Sequence, residues 1–136
     1  MKRIMVMVTV AALALMLTAG TALAASFYGH SYAETIYGTS GDDVIGGAGG
    51  GDYLSGGAGK DTVSGGQGDD LVRGDAGVDS LKGGAGSDRI LGGTENDTIV
   101  SAGDGMGDVV DCGAGTDVIT ADRYDQVTGC EKVSRV

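Results

Sequence analysis

The segment Gly56-Gly-Ala-Gly-Lys-Asp-Thr-Val-Ser64 is followed at once by Gly65-Gly-Gln-Gly-Asp-Asp-Leu-Val-Arg73, and the two share one nine-residue pattern. The pattern recurs between Gly38 and Thr120 with one interruption of two residues, Ser101 and Ala102. Its nine copies begin at residues 38, 47, 56, 65, 74, 83, 92, 103 and 112. A period kept over this length predicts one small structural unit stacked on copies of itself.

Three constraints recur together when the positions of each copy are numbered as places one to nine. Glycine occupies places one and four in nearly every copy. Place six is always aspartate: Asp43, Asp52, Asp61, Asp70, Asp79, Asp88, Asp97, Asp108 and Asp117. Place eight is always aliphatic: Ile45, Leu54, Val63, Val72, Leu81, Ile90, Ile99, Val110 and Ile119.

The glycines and the aliphatic place together predict strands joined by tight turns. The chain contains no proline, and no segment has apolar residues at helical spacing. Glycine marks backbone that turns with positive φ or that approaches a neighbouring segment closely. About three residues remain between turns, enough for a minimal strand with one inward aliphatic side chain. Two turns and two strands close a coil in 18 residues, so the repeats predict an all-β solenoid of about four and a half coils.

The repeats resemble the RTX calcium-binding nonapeptide, GGxGxDxUx with U aliphatic. Copies 56–64, 65–73 and 83–91 match it at every defined place, and the resemblance covers 83 of the 136 residues. It implies a parallel β-roll that binds Ca²⁺.

The repeat length also predicts where the ions bind. Turns two repeats apart stack on the same side, which places the aspartates in two columns, one of Asp43, Asp61, Asp79, Asp97 and Asp117, the other of Asp52, Asp70, Asp88 and Asp108. Calcium takes carboxylate and carbonyl oxygens. We expect the glycine turns to supply carbonyls, the candidates being Gly56, Gly59, Gly65, Gly68, Gly74, Gly77, Gly83 and Gly86. The gaps between stacked turns predict about five ions before the interruption and up to about seven in all.

The copies that depart from the repeat pattern are predicted to form the weakest calcium sites. Glu95 and Met106 replace the glycine at place four, and Asp75 and Asp104 replace the glycine at place two. Bulk at place four strains a tight turn, so copies 92–100 and 103–111 are expected to bind least well. An acidic side chain there could instead add a ligand.

Residues 1–24 are predicted to be a signal peptide. Lys2 and Arg3 precede an apolar run from Ile4 to Leu17, and Ala22-Leu23-Ala24 is a small-x-small cleavage site. We therefore expect secretion by the general route, and an uncleaved N-terminal anchor is the alternative. No insertion of the mature chain into a membrane is expected.

The segments on either side of the repeats are predicted to be caps. Residues 25–37 form the N-terminal cap, with a strand at Thr35-Ile36-Tyr37, and residues 121–136 form the C-terminal cap. In an oxidising compartment Cys112 and Cys130 fit a single disulfide, and two unpaired core thiols are the alternative. The tail resembles secreted actinobacterial proteins of this kind, which implies a cap tied to the last coil.

Charge and motifs narrow the possible functions. The net charge is −10, and without Lys2 and Arg3 it is −12, which disfavours nucleic acid and anionic membranes as partners. Neither an HExxH nor a GxSxG motif occurs, and the single histidine, His30, lies among tyrosines, so no enzymatic activity is expected. A P-loop is also missing. A disordered acidic segment is disfavoured by the strict period.

The predicted function is a secreted calcium-binding protein with a structural or calcium-responsive role. The alternative is a calcium-dependent adhesion module that contacts an unknown cell-surface partner. An ice-binding solenoid is not favoured, because the place-seven residues form no regular file of threonines: Val44, Tyr53, Thr62, Leu71, Ser80, Arg89, Thr98, Val109 and Val118.

Overall fold

The computed structural model describes residues 23–136, so the predicted signal peptide lies outside the described residues apart from Leu23 and Ala24. This part of the chain contains strands and turns and no helix, and hence no helix able to cross a membrane. Its thirteen strands are β1 (Ser26–Tyr28), β2 (Thr35–Tyr37), β3 (Val44–Gly49), β4 (Tyr53–Ala58), β5 (Thr62–Gln67), β6 (Leu71–Ala76), β7 (Ser80–Ala85), β8 (Arg89–Thr94), β9 (Thr98–Val100), β10 (Val109–Ala114), β11 (Val118–Ala121), β12 (Gln126–Thr128) and β13 (Lys132–Arg135).

The strands alternate between two parallel sheets. The odd-numbered strands form a seven-stranded sheet in the order β1-β3-β5-β7-β9-β11-β13, and the even-numbered strands form a six-stranded sheet from β2 to β12. Val63 pairs with Leu81, a separation of 18 residues, as the two-repeat coil predicts. The predicted parallel β-roll is therefore confirmed.

One aliphatic side chain per repeat fills the space between the sheets. The residues at place eight are all buried, whereas their neighbours at places seven and nine, such as Thr62 and Ser64 around Val63, are wholly or partly exposed, except for Ser55. Cys112 and Ala121 extend this core near the C-terminal end. Half-buried Phe27, Ile36 and Val127 pack against its ends.

The roll has about six coils, so the prediction of about four and a half is wrong. The end segments add β1, β2, β12 and β13 to the two sheets. The segments of β2, β12 and β13 keep an acidic residue two positions before an aliphatic one, as in Glu34-Thr-Ile36 and Asp125-Gln-Val127, but they have lost most of the glycines. The glycine spacing therefore does not identify them as further coils.

Most strands are six residues long instead of the predicted three. Each runs from place seven through place nine and on to place three of the next copy, because stacked copies of one turn keep the backbones parallel beyond the aliphatic residue. Ala48 at place two, for example, still pairs with Gly66 in the next coil. The strands therefore include residues that the pattern assigned to turns.

Glycines at places two and four adopt the predicted positive φ, as in Gly57 (100°) and Gly59 (114°). Three non-glycine residues at these places are also left-handed: Ala48 (74°), Asp75 (72°) and Glu95 (76°). A left-handed conformation costs a non-glycine residue about 1–2 kcal/mol. Glu95 thus carries the strain expected at place four, and the roll tolerates it.

The C-terminal end is tied to the last repeats by covalent and polar contacts. Cys112 and Cys130 form a disulfide, with their Cα atoms 5.2 Å apart. An Arg135 guanidinium N–H donates to the Asp122 carbonyl at 2.7 Å. These contacts fix β12 and β13 on the end of the roll.

Replacement of a core side chain is expected to destabilise the roll more than the same change on its surface. Leu81→Ala removes a fully buried side chain and should lower the free energy of unfolding by about 2–5 kcal/mol. Leu71→Ala is the matched control, because Leu71 occupies the outward place seven, and its effect should stay below about 1 kcal/mol. Urea unfolding followed by circular dichroism in saturating calcium measures both. Equal losses would contradict the assigned core.

Candidate metal sites

The nine place-six aspartates lie in two buried columns inside the turns. All are at most 3% exposed. Within a column, the backbone N–H of each aspartate donates to Oδ1 of the aspartate one coil later, as from Asp61 to Asp79 at 2.8 Å and from Asp52 to Asp70 at 2.8 Å. The structure thus brings these residues together in the two columns that the 18-residue coil predicts.

The columns continue through the interruption at residues 101–102. Asp88 donates to Asp108 at 2.8 Å, and Asp97 donates to Asp117 at 2.7 Å, although each pair is 20 residues apart instead of 18. The extra residues are accommodated in the turn before Asp108. The interruption therefore lengthens one turn without displacing the aspartates.

Sequence reasoning missed three further members of the columns. Glu34 begins the second column, where its N–H donates to Asp52 Oδ1 at 2.8 Å, and Asp125 ends it by accepting from the Asp108 N–H. Glu131 ends the first column by accepting from the Asp117 N–H at 2.8 Å. The signal that could have found them is the acidic residue two positions before an aliphatic one.

The second carboxylate oxygen, Oδ2, has no hydrogen-bond partner in most of these aspartates. Among residues 23–136 this buried and unpaired oxygen occurs in eight of the nine: Asp52, Asp61, Asp70, Asp79, Asp88, Asp97, Asp108 and Asp117. A buried polar atom without a partner costs about 1–3 kcal/mol, and more when it is charged. A repeated set of such oxygens therefore indicates a missing positive partner.

A glycine leaves open the space beside six of these eight oxygens, all except those of Asp108 and Asp117. A Cβ atom placed on Gly56 would lie 2.5 Å from Asp61 Oδ2 and 2.8 Å from the Gly74 carbonyl oxygen of the next coil. Carboxylate and carbonyl oxygens are the ligands that calcium takes. Gly47, Gly65, Gly74 and Gly92 each border the same pair of oxygens, a carboxylate and a carbonyl. The residues present thus fit a hard cation held between stacked turns.

The place-four glycines Gly59, Gly68, Gly77 and Gly86 lie elsewhere in the turns. Their nearest neighbours are mainly backbone atoms of the previous coil, including the carbonyl of Gly50 for Gly68 and that of Gly68 for Gly86. A Cβ is accommodated at this place in Glu95, at the cost of a left-handed φ of 76°. The glycines let the turns stack without that strain, and their role as carbonyl ligands stays a prediction.

Side chains alone do not form a metal site. Within the part of the chain that the structure describes, no three histidine, cysteine, aspartate or glutamate side chains converge on one point. Backbone carbonyls must therefore complete any coordination shell. This agrees with ligands drawn from glycine turns.

The two additional sites predicted across the interruption, between Asp97 and Asp117 and between Asp88 and Asp108, differ from each other. Gly92 keeps both oxygens, since its Cβ position would lie 2.7 Å from Asp97 Oδ2 and also close to the Cys112 carbonyl. Beside Gly83, by contrast, the three nearest atoms all belong to Asp88, and no carbonyl of the longer turn is among them. Any carbonyl beside Gly83 therefore lies at least 3.1 Å from its Cβ position, farther than the Cys112 carbonyl lies from that of Gly92.

Burial raises the pKa of most column aspartates. It brings the pKa of Asp70 and Asp97 to about 6 and that of Asp79 and Asp108 to about 7, with neighbouring carboxylates adding to the effect. The pKa values of Asp52, Asp61 and Asp88 are also raised, chiefly by burial. Without a bound cation, these carboxyl groups stay protonated up to a pH much closer to neutral than ordinary aspartates do.

Residues 28–99 match the family model of the RTX calcium-binding nonapeptide repeat (4 copies), in the overlapping segments 28–63, 46–81 and 64–99. The chain belongs to this family. The RTX match covers more than half of the 136 residues and begins in the coil that contains Glu34. No curated protein and no solved structure shows significant similarity to the chain.

The raised pKa values give the metal-free RTX roll a defined pH dependence. An acid whose pKa rises on folding binds more protons in the folded state, so stability falls as pH rises from the unfolded to the folded pKa. That window runs from about 4 to about 7 for Asp79 and Asp108. In metal-free buffer the β signal in circular dichroism should increase as the pH is lowered from about 7.5 to about 5.

The control is the calcium-loaded protein, which should keep its β signal at the upper end of this range. A metal-free protein that loses β structure on acidification would contradict the burial of these carboxylates.

Proposed function

We propose that this protein is a secreted, non-catalytic calcium-binding protein whose repeats fold around Ca²⁺ ions stacked along two columns. The observation that carries this proposal is the set of eight buried Oδ2 atoms without a partner. They recur at one place of the repeat, and six of them lie beside a glycine. A structural role follows, since ions at these places would join each turn to the next.

The donor set favours calcium over other divalent ions. Carboxylate and carbonyl oxygens suit Ca²⁺, which accepts irregular geometry and 6–8 ligands. Mg²⁺ requires near-ideal octahedral geometry and keeps several waters, whereas the stacked turns offer oxygens whose positions are fixed by the backbone. Zn²⁺ prefers sulfur and nitrogen, whereas the two cysteines are joined in a disulfide and the only histidine is His30.

The balance of interactions makes the ion necessary for the fold. Stacked turns repeat at about 4.8 Å, so ionised aspartates in a column repel one another. One aliphatic side chain per repeat is a thin core to oppose this repulsion. A bound cation neutralises the charge, and its binding free energy adds directly to folding stability.

Export fits this dependence on calcium. The signal sequence at residues 1–24 and the Cys112–Cys130 disulfide both suit a compartment outside the cytoplasm. The chain would remain unfolded where free calcium is scarce and would form the roll where calcium is abundant. The fold thereby responds to calcium.

Calcium titration tests the function directly. In EDTA at neutral pH the purified protein should show a largely disordered circular dichroism spectrum, and millimolar CaCl₂ should convert it to a β spectrum. Calorimetry of the same titration should show uptake of several ions. MgCl₂ at equal concentration is the control and should produce little β structure. A full β spectrum in EDTA, or no calcium uptake, would overturn the proposal.

Export is tested by the mass of the secreted chain. Protein recovered from the medium of producing cells should begin at Ala25. Reduction of its Cys112–Cys130 disulfide should add two hydrogens and free two thiols for alkylation. Intact-mass spectrometry before and after reduction and alkylation measures both features. Retention inside the cells with residues 1–24 still attached would argue against secretion.

A further inference from the structure

The carboxylates at the two ends of the columns differ from those between them. Asp43 is the one place-six aspartate whose two oxygens are both hydrogen-bonded within the protein. Its Oδ1 accepts from the Ala25 N–H at 2.7 Å. Its Oδ2 accepts from the Thr39 N–H at 2.5 Å and from the Thr39 hydroxyl at 2.9 Å. Thr39 occupies place two, where most copies have glycine.

The C-terminal end of the second column repeats this arrangement with other residues. Asp125 Oδ1 accepts from the Asp108 N–H at 3.0 Å, as in the columns. Its Oδ2 accepts from the Ser101 hydroxyl at 2.7 Å and from the Asp122 N–H at 2.7 Å. Ser101 is itself buried and belongs to the two-residue interruption of the repeats. The interruption thus brings a hydroxyl donor to the last aspartate.

The other end of the second column is closed in a similar way. The Glu34 carboxylate accepts from the His30 backbone N–H at 2.6 Å and lies 2.9 Å from the ring Nδ1 of His30. Three of the four column ends therefore have a protein donor for each carboxylate oxygen. The unpaired oxygens form one continuous block between them, from Asp52 to Asp117.

We propose that calcium binds only within this block and that Thr39, Ser101 and His30 end the ion columns by donating hydrogen bonds in the place of a cation. The proposal rests on the proposed function, since it assigns where the ions stop. A cation at Asp43 would have to displace two hydrogen bonds to one oxygen, whereas at Asp61 it would meet an oxygen that has none. Asp43 fits the repeat pattern but is not a calcium ligand.

This arrangement has a physical advantage at the ends of a stack. An ion in the last turn has no further coil to supply oxygens on its outer side. A hydroxyl or an N–H needs no such shell, because one donor satisfies one oxygen. Protein donors therefore close the array where calcium coordination would remain incomplete.

Two isosteric substitutions test where the block of calcium-binding aspartates ends. Asp43→Asn and Asp61→Asn each convert one buried column carboxylate to an amide, and the number of calcium ions bound at saturation is measured by native mass spectrometry. Asp43→Asn should retain the wild-type number of ions, while Asp61→Asn should lose bound calcium. Loss of calcium in Asp43→Asn overturns the proposal. If Asp61→Asn does not fold, the comparison of Asp43→Asn with the wild type still decides between these outcomes.

A third variant tests the hydroxyl itself. Thr39→Gly restores the glycine typical of place two and frees Asp43 Oδ2 beside the Gly56 carbonyl, so it should bind more calcium than the wild type. A number equal to that of the wild type would contradict the role of Thr39. Failure of the wild type to bind any calcium would instead overturn the proposed function, so the two failures are distinguishable.

Discussion

The hydrogen bond from each place-six backbone N–H to the carboxylate of the next coil is the contact on which the rest of the structure depends. It repeats along both columns at 2.7–3.0 Å and fixes the rise from one coil to the next. Because Oδ1 is used for this bond, Oδ2 of the same group is left buried and unpaired in eight of the nine aspartates, in six of them beside a glycine. One interaction therefore both stacks the coils and creates the need for a cation, so stacking and metal binding cannot be separated in this fold.

The glycine at place one gives the repeat room for that cation. Except at Gly103, in the longer turn, its φ is not left-handed, so its backbone conformation does not require glycine. The requirement is spatial, since a Cβ at Gly56 would enter the space bordered by Asp61 and the Gly74 carbonyl. Near the C-terminal end the residue that directly follows place nine is larger than glycine: Ser101, Cys112 and Ala121. There the serine hydroxyl binds a column carboxylate and the cysteine forms the disulfide, so polar and covalent contacts hold the last coils together.

The features that the sequence predicts are those set by the period. Buried Leu81 and the 18-residue register from Val63 follow from counting, because a strict repeat leaves one way to stack. The extra coils at the ends were not predictable from glycine spacing, since Glu34 and Asp125 lie in segments that have lost most of it. The hydrogen bonding of Asp43 Oδ2 depends on where the Thr39 hydroxyl points within the folded turn. A sequence pattern alone does not reveal such a side-chain contact.

The central claim is that cations bind the inward Oδ2 atoms of the two columns and not the exposed carboxylates. Diffraction from crystals grown in calcium, with an anomalous difference map, tests this claim most directly. The account predicts peaks between stacked turns, each beside the Oδ2 atom of an interior aspartate such as Asp61, Asp70 or Asp79. Peaks at exposed carboxylates such as Asp42 and Asp69, with no density beside the column oxygens, would contradict it.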